Sequence, residues 1–320
     1  MTVDSAPTDL ETTDRETADR EITDREITDR ETADRETSGG ETSGGEVADT
    51  NQHYDLDPDI FGQFLDPLRK YSSGRYLSEE DTLEQAQRNK LRFVAERLGL
   101  RGGERLLDIG CGWGSLILYM AAELKCETLG VSPAPRQHDY IAEQAAARGV
   151  TDLVRTRVGH FERLDLPARG FDAVTMLGSI VHMPDLDEVF RRARAVLRRD
   201  GRLYVSESCF RNAGIRARFD DRAGTDFVRE DIFGWGDLRP LSDLVTAAED
   251  AGFSIISVDD LTDDYRRTIE DWITNVEANA ASIDAHGAGL AERLRHYLEI
   301  ANAGWGYTTK HYALVCRNAR

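Results

Sequence analysis

The stretch 106–115, LLDIGCGWGS, constrains the fold of this chain most, because an apolar strand runs into three closely spaced glycines and then into another apolar segment. Glycine at positions 110, 112 and 114 allows the backbone to turn sharply and to approach a ligand where a Cβ atom would clash. The N–H groups that open the following helix point toward such a ligand. The stretch therefore predicts a strand–loop–helix turn that admits a nucleoside cofactor.

The size and charge of the chain limit the classes of protein to which it can belong. Its 320 residues, 40% of them hydrophobic, suffice for one large α/β domain. Residues 1–50 contain 16 acidic and five basic side chains, so most of the net charge of −19 lies there and the remaining chain is mildly acidic. Proteins bind nucleic acids and anionic lipid surfaces through Lys and Arg side chains, so no nucleic-acid partner is expected for this acidic chain.

The N-terminal region is a repeat. Residues 11–35 form five pentads, ETTDR-ETADR-EITDR-EITDR-ETADR, and two ETSGG repeats follow. In a helix each pentad would place Glu four residues before Arg, but a period of five builds no apolar face. We therefore predict a disordered acidic repeat tail over residues 1–50, followed by one folded domain over 51–320 whose first segment, 51–100, is helical.

Cysteine spacing and hydropathy predict the cellular location. The four cysteines show no CxxC spacing and, like the histidines, no pattern of metal ligands, so free thiols and no metal site are expected. The sequence has no secretory signal and no apolar run of about 18 residues. We expect a cytoplasmic protein without stable membrane insertion, and the sequence leaves a homo-oligomer open.

Segments of strand and helix character alternate along the chain from residue 105. Strands are predicted at 105–109, 127–131, 153–158, 171–176, 202–208, 253–258 and 309–316. Helices are predicted at 58–65, 82–98, 114–124, 135–148, 185–198, 241–251, 266–283 and 287–302, and 210–238 is predicted to be irregular. This alternation predicts an α/β fold with a doubly wound, mainly parallel, Rossmann-like sheet, and the last two strands suit an antiparallel pair at its edge.

The glycine spacing argues against a nicotinamide cofactor. The dinucleotide fingerprint is G-x-G-x-x-G, whereas the glycines here occupy every second position from 110 to 114. The second strand ends in Gly130-Val131-Ser132, with no Asp or Glu to hold a ribose.

Several motifs resemble one family of enzymes. LLDIGCGWG resembles motif I of class I methyltransferases that depend on S-adenosylmethionine (SAM). A narrower resemblance, to the cyclopropane fatty acid synthase and mycolic acid methyltransferase family, is carried by HYDL at 53–56, FLDP at 64–67, YS at 71–72, DTLEQAQ at 81–87, LDIGCGWG at 107–114, and GVS at 130–132 with Gln137. The resemblance implies a class I methyltransferase sheet with N-terminal helices and a helical acceptor-site cap, and SAM as the cofactor of the domain at 51–320. The expected cofactor-binding residues are Tyr71, Ser72, Asp108, Gly110, Gly112, Gly114, Ser132, Gln137, His160, Phe161 and Gly178.

This chain departs from the family at residues that matter for the chemistry. Cyclopropane synthases transfer a methyl group to an alkene, and a bicarbonate held by Glu, His and Tyr then removes a proton. The equivalent positions here are Val181, Ser206 and Tyr265, so only the tyrosine matches. The resemblance therefore implies methyl transfer but does not carry ring closure over to this chain.

Three residues are candidates for catalysis, and each has a structural alternative. His182 follows a strand end, where ligands of open α/β sheets bind, and its ordinary pKa suits proton transfer near neutrality; it could equally bond the backbone. Glu207 lies near the end of a buried strand, where an acid is costly unless it is paired, for example with a nearby arginine. Tyr265 could hold a substrate oxygen or pack as a core aromatic residue.

The region after the strand at 202–208 offers features for an acceptor. Guanidinium groups bind carboxylates and phosphates, so an anionic acceptor such as an acyl carrier, a prenyl diphosphate or a carboxylic acid fits an arginine cluster. Surface ion pairs with interleaved aspartates, and core packing of nearby aromatic residues, are the alternatives. The residues concerned are Arg211, Arg216, Arg218, Arg222, Asp220, Asp221, Asp226, Phe233, Trp235 and Trp272.

These observations predict a methyltransferase that acts at carbon of a hydrophobic, unsaturated small molecule, lipid-like or isoprenoid-like, in specialised metabolism. An O- or N-methyltransferase of a small natural product is the alternative among enzymes. A SAM-binding interaction protein that recruits a partner through its acidic tail is the alternative outside enzymes.

Overall fold

The computed structural model of the protein describes residues 58–220 and 237–319. The predicted repeat tail, the HYDL segment at 53–56, and Asp221, Arg222, Asp226, Phe233 and Trp235 therefore lie outside the described residues. Among the helices in the described part of the chain, none combines the length and the apolar character that a membrane crossing requires.

The centre of the fold is a mainly parallel sheet. Its strands are β1 Arg105–Ile109, β2 Glu127–Ser132, β3 Val154–Val158, β4 Phe171–Leu177, β5 Leu197–Phe210, β6 Arg239–Pro240, β7 Ser254–Asp260 and β8 Thr309–Arg317. The order is β3-β2-β1-β4-β5-β8-β7, and the short β6 pairs with β5. Strands β1 to β5 are parallel, whereas β8 runs antiparallel to both β5 and β7. The predicted doubly wound sheet with an antiparallel pair at its edge is confirmed.

Helices cover the sheet and form an additional layer beside it. They are α1 Pro58–Phe64, α2 Leu83–Leu98, α3 Ser115–Leu124, α4 Pro135–Ala147, α5 Leu186–Val196, α6 Ala213–Asp220, α7 Leu241–Asp250, α8 Thr262–Ala278, α9 Ala280–Asp284 and α10 Leu290–Ala303. Single 3₁₀ turns occur at Phe161–Arg163 and Ile180–His182.

Local sequence explains where the long N-terminal helix begins and ends. At the start of α2, the Thr82 side chain accepts a hydrogen bond from the Gln85 amide, and the Gln85 side chain accepts one from the Thr82 amide. This reciprocal capping box satisfies two amides that have no partner within the helix. The helix ends at Gly99, which adopts the left-handed conformation with φ of 71°.

The buried apolar side chains form separate cores on the two faces of the sheet. On one face α5 and α7 pack on β4 and β5 through residues such as Phe190 and Leu244. On the other face α2 and α3 pack through residues such as Val94 and Met120. A further core joins α1 to α8, α9 and α10, with the fully buried Phe64 at its centre. The helices from both ends of the domain therefore form one cap.

Four regions differ from the prediction by more than two residues. The region at 210–238, expected to be irregular, contains α6, whose first turn is capped where Asn212 accepts a hydrogen bond from the Ile215 amide. Strand β5 begins at 197 instead of 202, because its pairing with β4 continues across an irregularity in register. The helix predicted at 266–283 begins at Thr262, whose amide bonds the Asp260 carboxylate, and it is interrupted at Asn279. The helix predicted at 287–302 begins at 290.

Candidate active site

The three glycines of the turn after β1 are required for different reasons. All three have positive φ angles, of 76°, 52° and 78° for Gly110, Gly112 and Gly114. A Cβ atom at Gly110 would collide with the Ser179 side chain, and one at Gly114 would lie 2.5 Å from the Ile141 side chain. A Cβ atom at Gly112 would meet no atom of the described residues within 4 Å. Gly110 and Gly114 are thus needed for packing, whereas Gly112 faces open space.

This open space is a cleft at the C-terminal ends of β1 and β4. Ligands of open α/β sheets bind at this edge, near the point where the strand order reverses. The glycine turn forms its floor, and α1 with the segment after it forms one side. The lining residues are Phe61, Arg69, Lys70, Tyr71, Gly110, Cys111, Gly112, Trp113, Ser115, Gln137, Leu177 and Gly178. Five of the predicted cofactor residues are among them, namely Tyr71, Gly110, Gly112, Gln137 and Gly178.

Other predicted cofactor residues lie beside the cleft. The Ser132 hydroxyl, at the end of β2, is 2.6 Å from the Gln137 side-chain oxygen and donates to it. The Gly159 amide, just after β3, donates to the Ser132 carbonyl oxygen at 3.0 Å. This bond brings the next two residues in the chain, His160 and Phe161, near the end of β2. Of these, His160 is exposed and Phe161 is buried. The Ser132–Gln137 pair therefore belongs to the β2 end of the cleft.

A buried acid, Asp108, lies next to the glycine turn. Its exposed fraction is 1%, and one carboxylate oxygen accepts a hydrogen bond from the Thr175 hydroxyl at 2.7 Å. Burial raises the pKa of Asp108, while the charge of Lys70 and the Thr175 bond act in the opposite direction. Burial also lowers the pKa of Lys70, which the nearby Asp108 partly counteracts. The cleft thus has a buried acid and a buried base at its β1 end.

The loop that carries Tyr71 and Ser72 is held from below by α2. The Lys90 ammonium donates to the Ser72 hydroxyl at 3.0 Å, and the Gln87 amide group donates to the Ser72 carbonyl oxygen at 2.9 Å. Burial lowers the pKa of Lys90 far below its ordinary value, and the charge of Lys70 adds to this effect. Sequence analysis quoted Gln87 only within the motif at 81–87 and assigned no role to Gln87, Lys90 or Lys70. For Gln87 and Lys90 a signal was present, because these polar residues interrupt the apolar face of α2.

His182 and Glu207 lie on the loop after β4 and on the neighbouring β5. His182 ends the 3₁₀ turn at Ile180–His182, and burial lowers its pKa. The Glu207 carboxylate accepts hydrogen bonds from the Val181 amide at 3.3 Å and the Ser208 amide at 2.9 Å. Burial raises the pKa of Glu207 to about 7 despite these bonds. Glu207 therefore caps the turn that carries His182, and it pairs with no arginine of the described segments 58–220 and 237–319.

Tyr265 lies on the other face of the sheet from Glu207. Its ring packs 4.7 Å from that of His311, and His311 Nδ1 lies 3.3 Å from the Ser208 hydroxyl. Because side chains alternate along a strand, Ser208 and Glu207 point to opposite faces. Glu207 thus lies beside the turn that carries His182. Tyr265 lies next to His311, on the opposite face of the sheet.

An aromatic wall connects the cleft to the helical cap. We use this name for Tyr71, Trp272, Tyr265 and Trp305. The ring centroids are 5.0 Å apart between Tyr71 and Trp272, 6.0 Å between Trp272 and Tyr265, and 4.9 Å between Tyr265 and Trp305. Since Tyr71 also lines the cleft, the wall leads from the cofactor cleft into the cap.

The predicted arginine cluster does not form one site in the described part of the chain. Arg216 makes ion pairs with Asp237 at 3.1 Å and with Asp243 at 3.3 Å. Arg239, which was not predicted, also pairs with Asp237, at 3.0 Å. These pairs support the structural alternative for Arg216, namely ion pairing near the protein surface.

The residues of the cleft fit a nucleoside that carries an amino-acid group. Gly112 and Gly178 have positive φ angles, and a Cβ atom at either would meet no atom of the described residues within 4 Å, so the backbone leaves room for a ligand. The β2 end offers the hydroxyl and amide groups of Ser132 and Gln137, which suit a ribose, and the described residues that line the cleft include no Asp or Glu. The β1 end offers an ammonium group at Lys70 instead. SAM has this combination of parts.

A sheet of this order, with such a cleft at the carboxyl ends of its strands, defines the chain as a class I SAM-dependent methyltransferase in fold. The sequence places it more narrowly. The chain belongs to the mycolic acid cyclopropane synthetase family, whose family model matches residues 42–312.

Individual relatives agree with this assignment. The chain is 33% identical over 239 residues to sphingolipid C9-methyltransferase 1 of Gibberella zeae, covering 73% of this chain and 46% of that protein. It is 26% identical over 260 residues to cyclopropane mycolic acid synthase 1 of Mycobacterium tuberculosis, covering 78% of this chain and 90% of that protein. The structure of the cyclopropane synthase MmaA2 from Mycobacterium tuberculosis superimposes with a TM-score of 0.75 at 23% identity, covering 82% of this chain and 95% of the other. The chain thus spans about half the length of the sphingolipid relative.

Proposed function

We propose that this protein is a SAM-dependent methyltransferase that transfers a methyl group to a carbon atom of a hydrophobic, unsaturated acceptor. The observation that carries the proposal is the aromatic wall, which begins at Tyr71 in the cofactor cleft and continues into the apolar cap. An acceptor that lies along this wall has its reacting atom next to the cleft. Close placement of donor and acceptor is the main requirement of methyl transfer.

The wall suits a hydrocarbon better than a polar acceptor. Trp272 is 2% and Trp305 is 6% exposed, and within residues 58–220 and 237–319 their indole N–H groups have no hydrogen-bond partner. The faces of aromatic rings also attract positive charge. When a methyl group adds to one carbon of an alkene, the other alkene carbon becomes positively charged, so an aromatic wall stabilises such a reaction.

Bound SAM would supply an electrophilic methyl group at a cationic sulfur atom. Gly112 and Gly178 would leave room for it, and Ser132 and Gln137 would hold its ribose. After methyl addition, loss of a proton from a carbon next to the positive charge would give a methylated alkene. We propose His182 as the proton acceptor, because it follows the C-terminal end of β4 and burial lowers its pKa, which favours the neutral imidazole that can take up a proton. Glu207 would position the turn of His182 and is the second candidate base, while Tyr265 would contact the acceptor.

The names of the relatives support a lipid-like acceptor. One acts on sphingolipids at C9 and another makes cyclopropane mycolic acids, and both substrates have long hydrocarbon chains. Val181 and Ser206 stand where the resemblance implies the acid and the histidine of the ring-closing enzymes. We therefore propose methylation without ring closure. An isoprenoid-like acceptor in specialised metabolism fits the same wall.

The proposal is tested with SAM carrying a ¹³C-labelled methyl group. The purified protein is incubated with unsaturated fatty acyl lipids, sphingolipids or prenyl compounds, and the product is analysed by mass spectrometry and ¹³C NMR. We expect one labelled methyl group on carbon, retained after ester hydrolysis, and no label with the Gly112→Val variant. Label on oxygen or nitrogen would identify the O- or N-methyltransferase alternative. SAM binding without S-adenosylhomocysteine formation in any extract of the producing cell would favour a SAM-binding interaction protein.

A further inference from the structure

Lys70 is a buried lysine whose ammonium group has no hydrogen-bond or ion-pair partner among the described residues. Its exposed fraction is 6%, and it lines the cofactor cleft. In the part of the chain that the structure describes, its ammonium makes no hydrogen bond and no ion pair within 4.0 Å. A charged group that is removed from water is costly unless it finds a counter-charge. An anionic group of a ligand in the cleft would therefore be a favourable partner for Lys70.

The nearby acids do not fill this role. Asp108 and Asp66 both attract Lys70, Asp108 more strongly, but neither carboxylate forms an ion pair within 4.0 Å of the Lys70 ammonium. The Asp66 carboxylate instead accepts hydrogen bonds from the backbone amides of Leu68 and Lys70. One oxygen of Asp108 already bonds Thr175, and burial favours the protonated acid. The lysine beneath the loop, Lys90, is bonded to Ser72 and adds a further positive charge. The surroundings of Lys70 thus still favour an additional negative charge.

The position of Lys70 indicates which part of a ligand would carry that charge. The ribose of a nucleoside cofactor binds at the end of the second strand in folds of this kind, here at Ser132 and Gln137. Two of the three titratable groups nearest to Lys70, Asp108 and the Cys111 thiol, lie on β1 and its turn, and the third, Asp66, precedes Lys70 in the chain. Lys70 is therefore at the opposite end of the cleft from the ribose side, where the amino-acid part of SAM would extend.

We propose that the Lys70 ammonium binds the carboxylate of the methionine part of SAM, and that it makes this chain select nucleosides that carry this carboxylate. The inference rests on the proposed function, because it names the group that recognises the methyl donor. It assigns a binding role to a residue that the cofactor motifs did not include.

The neighbouring Arg69 provides a matched control. It carries the same charge and lines the same cleft, but its guanidinium lies over the rings of Tyr140, at 4.7 Å, and Trp113, at 5.8 Å. Replacement of either residue by Met removes one positive charge from the cleft. Only the Lys70 replacement removes the proposed contact with the carboxylate.

The test is isothermal titration calorimetry with two ligands, S-adenosylhomocysteine and methylthioadenosine, which lacks the amino-acid group. Loss of the charge-assisted hydrogen bond between the Lys70 ammonium and the ligand carboxylate should weaken S-adenosylhomocysteine binding in Lys70→Met by about 10- to 100-fold. Methylthioadenosine binding should change by less than about threefold, a range within the context dependence of single contacts. Lys70→Arg should retain most of the affinity, and Arg69→Met should leave the ratio of the two affinities as in the wild type.

Equal losses for both ligands in Lys70→Met, or no loss for either, would overturn the inference. If the variant does not fold, the same contact is tested by measuring how the wild-type protein binds SAM and decarboxylated SAM. Equal affinity for these two ligands would overturn the inference. Failure of the proposed function has a different result. In that case the ¹³C-labelled methyl group of SAM appears on no acceptor carbon, whatever the affinities of the Lys70 variants for the two ligands.

Discussion

Alanine substitutions at the three glycines of the cofactor turn should separate stability from ligand binding. Each substitution places an L-residue at a positive φ angle, which costs about 1–2 kcal/mol. At Gly110 and Gly114 the new Cβ atom would also collide with Ser179 and Ile141, and overpacking adds about 1–3 kcal/mol. The Ser179 hydroxyl bonds the Ile109 carbonyl oxygen at 2.6 Å, so this side chain cannot move away without losing a buried hydrogen bond.

Gly110→Ala and Gly114→Ala should therefore lose about 2–5 kcal/mol of unfolding free energy, whereas Gly112→Ala should lose about 1–2 kcal/mol. Urea denaturation measures these losses, and calorimetric titration with S-adenosylhomocysteine measures binding in the variants that fold. We expect Gly112→Ala to be the most stable of the three and to bind at least about tenfold more weakly than the wild type, and Gly112→Val to abolish binding. Near-normal affinity in Gly112→Val, or equal stability of all three alanine variants, would refute this reasoning.

Three other predictions concern separate parts of the structure. Because burial raises the pKa of Glu207 to about 7 from an ordinary value of 4.5, its contribution to stability is greatest below pH 4.5 and is lost as the pH rises through 7. This loss is about 3 kcal/mol. Glu207→Gln should therefore reduce the fall in unfolding free energy between pH 4.5 and 7, measured by urea denaturation. Identical pH profiles of stability for the wild type and the variant would contradict the raised pKa of Glu207. His182→Ala should reduce kcat at least about tenfold with unchanged SAM affinity if His182 is the base, and an unchanged kcat would indicate a structural role. Thr82→Ala should lower the unfolding free energy by about 1 kcal/mol, measured by urea denaturation, and Thr82→Ser should not.

Much of the fold could be predicted because its signals are local. The strand, glycine turn and helix at 105–124 are encoded within one short stretch, and strand β1 has the predicted bounds. Boundaries that depend on distant contacts could not be predicted in this way. The break at Asn279 is an example, because its side chain donates to the carbonyl oxygen of Gln63, more than 200 positions earlier in the chain.

The sequence by itself determined the sheet, the glycine turn and the family, since hydrophobic periodicity and glycine spacing are readable from neighbouring residues. Only the tertiary structure decided which groups share an environment. Lys70 and Lys90 come from different segments, and they become buried bases only when α2 packs beneath the loop of Tyr71. Burial and hydrogen bonding set the protonation state and role of such groups, and both arise from contacts between segments that are far apart in the chain.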